Sequence, residues 1–190
     1  MSENEDNQEI ESLGEFGLID LLTNDVELRN ESSYKGVGDD AAVISVNENT
    51  LSLLSADMLV EGVHFNLSYM PLKSLGFKAI SVNVSDVLAM NGEPEQVTVS
   101  LGVSSKFPVE ALKELYKGIH AACEFYHVDL VGGDTTSSYS GLIISISVLG
   151  KTDPEKIAYR NGAKENDLLL VTGDLGSSYL GLQVLEREKG

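Results

Sequence analysis

Bases, cysteine and tryptophan are scarce in this sequence. Among 190 residues there are 13 lysines and arginines against 30 aspartates and glutamates, one cysteine and no tryptophan. A single cysteine excludes an internal disulfide. Cys123, in Ala121-Ala122-Cys123-Glu124-Phe125, sits on a helical pattern and reads as a packed thiol rather than a nucleophile. The net charge of -17 excludes the basic face that a nucleic-acid backbone needs. Glu3, Glu5, Asp6, Glu9 and Glu11 precede any base, so part of that charge belongs to an acidic start. No apolar run is long enough to cross a bilayer. The polar, acidic beginning is neither a secretory signal nor an Arg-rich transit peptide, and a cytoplasmic location is expected. There is no Gly-x-x-x-x-Gly-Lys-Ser/Thr loop and no nucleophile-elbow serine. His64, His120 and His127 lack zinc-ligand spacing with Cys123.

What is present is an ordinary globular balance, 42% hydrophobic and 23% charged, enough for one domain and the start of another. Residues 1–12 lack periodicity and are expected to be disordered. Leu13 to Leu22 reads as a short amphipathic helix with Phe16, Ile19 and Leu22 in step. Residues 24–35 read as a loop. Ala41 to Val46 and Leu51 to Ala56 read as two strands of a hairpin, and Leu59 to Phe65 as a further strand broken by Gly62. Pro71 to Asn91 contains a helix whose Leu75, Ala79, Val82, Val87, Leu88 and Met90 predict burial, with Asn83 and Asp86 on one face. Gln96 to Val103 is a strand and Val109 to Tyr126 a second amphipathic helix. Val128 to Val131 is a strand running into a turn at Gly132-Gly133-Asp134-Thr135; Leu142 to Gly150 is another strand. Residues 151–166 read as a connection, Leu168 to Thr172 as a last strand, and a helix starts near Ser177. The order predicts an α+β fold, a mostly antiparallel sheet with helices on one side. Residues 13–150 form the main domain, and 151–190 a linker and the beginning of a second.

Acids recur beside tight backbone. Gly36-Val37-Gly38-Asp39-Asp40-Ala41-Ala42 places two carboxylates before an apolar run; Ser55-Ala56-Asp57, Asn83-Val84-Ser85-Asp86 and Gly132-Gly133-Asp134 follow. Each motif alone is also accounted for by turn or cap chemistry, or for Asp86 by a core hydrogen bond. Together they set one acid at the end or edge of several elements. Hard oxygens in that pattern suit Mg²⁺ rather than zinc, and magnesium between carboxylate and phosphate lets an acidic site take phosphate substrates.

The combination of Gly36 to Ala42, Ala56-Asp57-Met58-Leu59-Val60-Glu61-Gly62-Val63-His64-Phe65, Lys78-Ala79 through Asn83 to Met90, Val131 to Thr136, and Arg160-Asn161-Gly162-Ala163-Lys164 through Thr172-Gly173 resembles the successive motifs of the bacterial thiamine-monophosphate kinases. The likeness runs from about Glu15 to the end. It implies the aminoimidazole ribonucleotide synthetase-like superfamily, an N-terminal α+β domain that dimerises through its sheet, and a second α/β domain. It implies transfer of a phosphoryl group from ATP to thiamine monophosphate, directly and in line, with magnesium and no strong general base. By matched position, Asp40, Asp57, Asp86 and Asp134 resemble magnesium ligands. Ser55 and Ala56 stand where oxygens beside Asp57 serve the metal, Ala56 through its carbonyl only. His64 resembles a substrate contact, and Tyr116, Gly133, Asp134 and Arg160 resemble nucleotide contacts. Family members are longer, so this chain alone is expected to fold and dimerise without being a competent enzyme. The competing readings are another ATP-using enzyme of the same superfamily, and a non-catalytic dimerisation or nucleotide-binding module.

Overall fold

The computed structural model describes residues 10–189. Of the residues 1–12 expected to be disordered, 1–9 lie outside them and 10–12 are helical. Helix α1 begins at Ile10, not Leu13, and runs Ile10–Thr23 with a kink at Gly14 (φ 65°). Its apolar spacing does not mean burial here: Phe16 and Leu22 are 68% and 70% exposed.

The main body is one six-stranded sheet with two long helices on one face. Its strands are β1 Ser33–Lys35, β2 Ala42–Asn47, β3 Thr50–Val60, β4 Glu93–Val103, β5 Asp129–Ser137 and β6 Ile143–Thr152, in the spatial order β1-β2-β3-β6-β4-β5. All neighbours pair antiparallel except β4 and β5, which are parallel and are joined across helix α3. The expected mostly antiparallel sheet with helices to one side is therefore what the chain forms. β2 and β3 make the expected hairpin.

Four details differ from the sequence reading. β1 lies within the stretch read as loop, three residues that pair with the start of β2. β3 runs unbroken to Val60, so Asp57 lies inside a strand rather than at its end, and Glu61 to Phe65 is a tight turn with Gly62 at φ 83°. Gly132-Gly133-Asp134-Thr135 is not a turn but the middle of β5. A Cβ on Gly133 would stand 1.8 Å from the Val99 carbonyl oxygen, so glycine is needed there to let two strands approach, not to reverse the chain. Leu168 to Thr172 forms no strand, and Leu168, Leu169 and Leu170 are exposed. A β-rich apolar run without a neighbour to pair with leaves its backbone groups to water.

Helices α2 (Leu72–Ala89) and α3 (Val109–Tyr126) both start after a proline in extended conformation, Pro71 and Pro108. α2 covers β3, β6 and β4, and α3 packs on α2 and β5. Leu53, Leu75, Ile80, Val84, Val87, Leu115, Ile119, Ile144, Ile146 and Val148 fill the layer between. Of the residues expected on the buried face of α2, Leu88 points out instead, 50% exposed. Tyr126 rather than Phe125 anchors the end of α3, its hydroxyl meeting the Ser81 hydroxyl at 3.1 Å. His120 is exposed, and His127 is the exposed left-handed cap of α3. Cys123 is buried, and burial followed by the charge of Asp129 pushes its thiol up, away from the reactive thiolate. Helix α4, Ser177–Lys189, begins where expected, and neither α1 nor α4 makes extensive contact with the sheet.

The two long helices cross at glycines. A Cβ on Gly76 would lie 2.1 Å from the Leu115 carbonyl oxygen, and one on Gly118 would lie 1.9 Å from that of Lys73. Overpacking at such a contact forces backbones apart and costs about 1–3 kcal/mol. Gly118→Ala is expected to lower unfolding free energy by about that amount in urea titration. Gly181→Ala, with nothing within 4 Å of the new methyl, is expected to be neutral or to gain up to about 1 kcal/mol.

Candidate metal and phosphate site

The pairing of β3 with β6 and of β6 with β4 sets the rows of the sheet. Ser55 faces Val148 and Asp57 faces Ile146, both buried partners under the helices. Ser55 and Asp57 therefore share the helix-covered face, since side chains two apart on a strand point the same way. Asp86 reaches the same place from the last turn of α2. The Ser55 hydroxyl donates to Asp86 Oδ2 at 2.6 Å, and the Asp57 N–H donates to Asn83 Oδ1 at 2.9 Å. Asn83, 1% exposed, sends its amide back to the Ala79 carbonyl at 3.0 Å. The shared face of Asn83 and Asp86 thus clamps the helix to β3 at the acids.

The third contribution is the loop before β2. Gly36, Val37, Gly38, Asp39, Asp40, Ala41 and Ala42 line one cavity of about 440 Å³ with Leu54, Ser55, Ala56, Asp57, Asp86 and Arg160. Gly38 holds φ 116°, a turn that a side chain would strain. The Ala41 N–H donates to Met90 Sδ at 3.1 Å, tying this loop to the end of α2.

Asp39 and Asp40 divide their work. The Asp39 side chain is 1% exposed and is held by Lys35 at 2.6 Å and by the Asp40 N–H at 3.1 Å. Burial opposes its charge, but the Lys35 and Asp40 hydrogen bonds and the Lys35 charge outweigh it and keep the carboxyl below its usual range. Asp40 faces the cavity and is paired with the Arg160 guanidinium. The Arg160 N–H reaches both oxygens of Asp39 at 3.4 Å. Lys35 in turn lies over the Tyr159 ring, 4.2 Å from its centre.

Asp86 shows the opposite balance. Burial pushes its carboxyl up; the Ser55 hydroxyl works against that, and the charges of Asp57 and Asp40 add to it, with Arg160 a smaller offset. Four carboxylates, Asp39, Asp40, Asp57 and Asp86, thus border one cavity; Lys35 and Arg160 pair with the first two, and Asp57 and Asp86 have no basic partner within ion-pair distance among the described residues. Among the described residues no group of three or more histidine, cysteine, aspartate or glutamate side chains is placed to hold a metal ion as they stand.

Asp40, Ser55, Ala56, Asp57, Asp86 and Arg160 meet at this cavity. His64 lines a neighbouring one of about 280 Å³ with Asp57, Met58, Leu59, Lys78 and Val82. Its Nδ1 accepts the Val60 N–H at 3.0 Å. Gly133 and Asp134 do not join either cavity. Asp57, Ile146, Val99 and Gly133 lie in one row, so β5 is three strand spacings from β3, roughly 14 Å. Tyr116 is on α3, partly buried against the core with its ring beside His120. Sequence reasoning passed over Asp39, Lys35 and Lys78 as site residues. Lys78, Val82 and Asp86 follow one another at four-residue steps, a signal that they share a helix face.

The family described as AIR synthase related protein, N-terminal domain, matches residues 38–152. The chain belongs to that family. Within this AIR synthase-related group it is similar to the thiamine-monophosphate kinase of Aquifex aeolicus, 42% identical over 180 residues, 95% of this chain and 55% of the relative. It is similar also to that of Bacillus subtilis, 38% identical over 176 residues, 93% of this chain and 54% of the relative. The solved structure of AaThiL complexed with AMPPCP and TMP superposes with a TM-score of 0.83 at 40% identity, covering 95% of this chain and 55% of that one. The chain spans about half the length of the curated relatives it matches.

The opposed balances of Asp39 and Asp86 have measurable signs. A raised carboxyl contributes stability below the ordinary range near 3.8 and loses it as pH rises through the raised value; a lowered one contributes above that range and loses it as pH falls. Asp57→Asn is expected to lower the Asp86 titration midpoint and Ser55→Ala to raise it, followed by carboxyl ¹³C NMR. Unchanged midpoints in both variants would contradict the placement of these charges.

Proposed function

We propose that this chain is the metal- and nucleotide-handling part of a thiamine-monophosphate kinase, which transfers the γ-phosphoryl group of ATP to the phosphate of thiamine monophosphate. The observation that carries the proposal is the cavity where Asp40, Asp57 and Asp86 face one another and the Asp86 carboxyl is pushed up. A site short of positive charge and rich in hard oxygens suits magnesium carrying phosphate. The relative AaThiL, complexed with AMPPCP and TMP, supports the two substrates.

Asp40, Asp57 and Asp86 would hold the magnesium, with the Ala56 carbonyl beside them. Bound there, Mg²⁺ supplies charge neutralisation and alignment to two crowded phosphates. The chain's own residues do the rest. Asn83 fixes the Asp57 backbone, Ser55 orients Asp86, and Lys35 keeps Asp39 charged. Arg160, which pairs with Asp40 at this cavity, would also contact a nucleotide phosphate. The acceptor is a phosphate oxygen, already anionic near neutral pH. It attacks the γ-phosphorus while the bond to the β–γ bridging oxygen breaks and ADP leaves, so no residue need take a proton.

The same reading extends to a cytoplasmic homodimer formed through the sheet. The face opposite the helices presents Leu54, Met58 and Leu149, each between 39% and 55% exposed. Gly133 and Asp134, at the far edge of that sheet, and Tyr116 belong to the proposed nucleotide contacts only if a nucleotide or a second copy bridges the distance. Residues 13–150 would form the domain concerned and 151–190 the passage to a second one.

Calorimetric titration with an ATP analogue, with and without Mg²⁺, tests the proposal. Magnesium-dependent binding that Asp57→Asn weakens at least about tenfold is expected, the worth of one charge-assisted contact. Binding that ignores both magnesium and the substitution would overturn it. At native length, Asp57→Asn is expected to lower kcat for phosphoryl transfer by about 10²-fold or more.

A further inference from the structure

The cavity beside the acid site has a wall that the reaction above leaves unexplained. Leu59 and Val82 give it apolar surface, Asp57 joins it to the acid cavity, and His64 and Lys78 are its two nitrogen-bearing side chains. Lys78 rises from α2 on the face that carries Asp86, and its ammonium donates to the His64 carbonyl at 3.1 Å. Among the described residues no carboxylate lies within ion-pair distance of it, whereas Lys35, Lys151, Lys156 and Arg160 are all paired with acids. In a chain of net charge -17 an ammonium beside a cavity, bonded only to a neutral oxygen, is an unspent positive charge.

The turn that Lys78 grips is itself fixed. Gly62 and Phe65 bond across it at 2.8 Å, the His64 N–H returns to the Val60 carbonyl at 2.9 Å, and the Glu61 carboxylate accepts the Leu142 N–H at 2.8 Å. Phe65 is buried, 6% exposed. With Nδ1 accepting from Val60, the ring proton of neutral His64 resides on Nε2. Lys78 and His64 are thus two donors at set positions beside apolar side chains, one step from the acids.

We propose that Lys78 reads the phosphate of the acceptor substrate, offsetting the repulsion from Asp57 and holding the His64 turn in place while the apolar wall takes the rest of the molecule. This rests on the kinase reading and adds to it a residue that separates a phosphorylated acceptor from its unphosphorylated form.

The test is calorimetry on the protein at native length, with thiamine monophosphate and thiamine as the two probes, for wild type, Lys78→Ala and Lys78→Arg. Lys78→Ala is expected to weaken thiamine monophosphate about tenfold to a hundredfold and thiamine less than about threefold, as loss of one charge-assisted contact does. Lys78→Arg is expected to recover part of the loss. Equal weakening of both probes would assign Lys78 a purely structural role and overturn the proposal, as would an unchanged preference. Wild type that binds neither probe would overturn the kinase reading as well, so the two failures are distinguishable.

Discussion

Ten successive pairs join β3 to β6 without a bulge, from Leu51 opposite Thr152 to Val60 opposite Ile143. Nearly everything of chemical interest is positioned by that register. A slip of one residue would turn Ser55 and Asp57 to the open face and bring Leu54 and Met58 under the helices. Irregularities are pushed to the neighbours: β2–β3, β4–β5 and β4–β6 each carry a shift, while the central pair does not. The second positioning element, α2, is held to β3 by the Asn83 side chain, which accepts the Asp57 N–H, and is crossed closely by α3 at the two glycines. Asp57 and Asp86 are consequently fixed to a strand and a helix, not to loops, and a site built on such elements keeps its geometry better than one built on loops.

Charge is distributed with the same economy. Of the two acids in the Gly-Asp-Asp loop, the buried one is neutralised within the chain by Lys35, and the cavity-facing one is met by Arg160. Asp57 and Asp86 have no basic partner within ion-pair distance among the described residues, and burial first, then the charges of Asp57 and Asp40, raise the Asp86 carboxyl. The buried and the cavity-facing acid are therefore neighbours in sequence, told apart by their partners in space.

Much of this was legible in the sequence. The 3.6-residue pattern located α3 at its observed bounds and α2 to within a residue or two, because both bury a broad apolar face. The Asn83–Asp86 spacing predicted a shared polar face, and Gly36 to Ala42, Asp57 and Asp86 marked three sides of the cavity. Other features were hidden for physical reasons. Gly-Gly-Asp suits a turn as well as a close strand approach, and only the neighbouring Val99 backbone decides between them. The apolar periods of Phe16, Ile19 and Leu22 describe a helix but not what covers it. Leu168 to Val171 has strand-forming side chains, yet a strand exists only through a partner. Strand order is likewise unreadable locally, so nothing at Asp134 itself tells that two strands separate it from β3.

The segment after β6 is sewn to the acid site at several points. The Asn91 side chain donates to the Lys156 carbonyl at 2.9 Å, and the Ala158 N–H to the Met90 carbonyl at 3.1 Å. Tyr159 lies under Lys35, and Arg160 engages both Asp39 and Asp40. Met90 also receives the Ala41 N–H. These links tie the Gly-Asp-Asp loop, the end of α2 and residues 156–160 together, an arrangement expected to open as one unit. Exchange of the Ala41, Ala158 and Arg160 amides with solvent deuterium would then share a single opening free energy, and a ligand that steadies any one of the three would slow exchange in the other two.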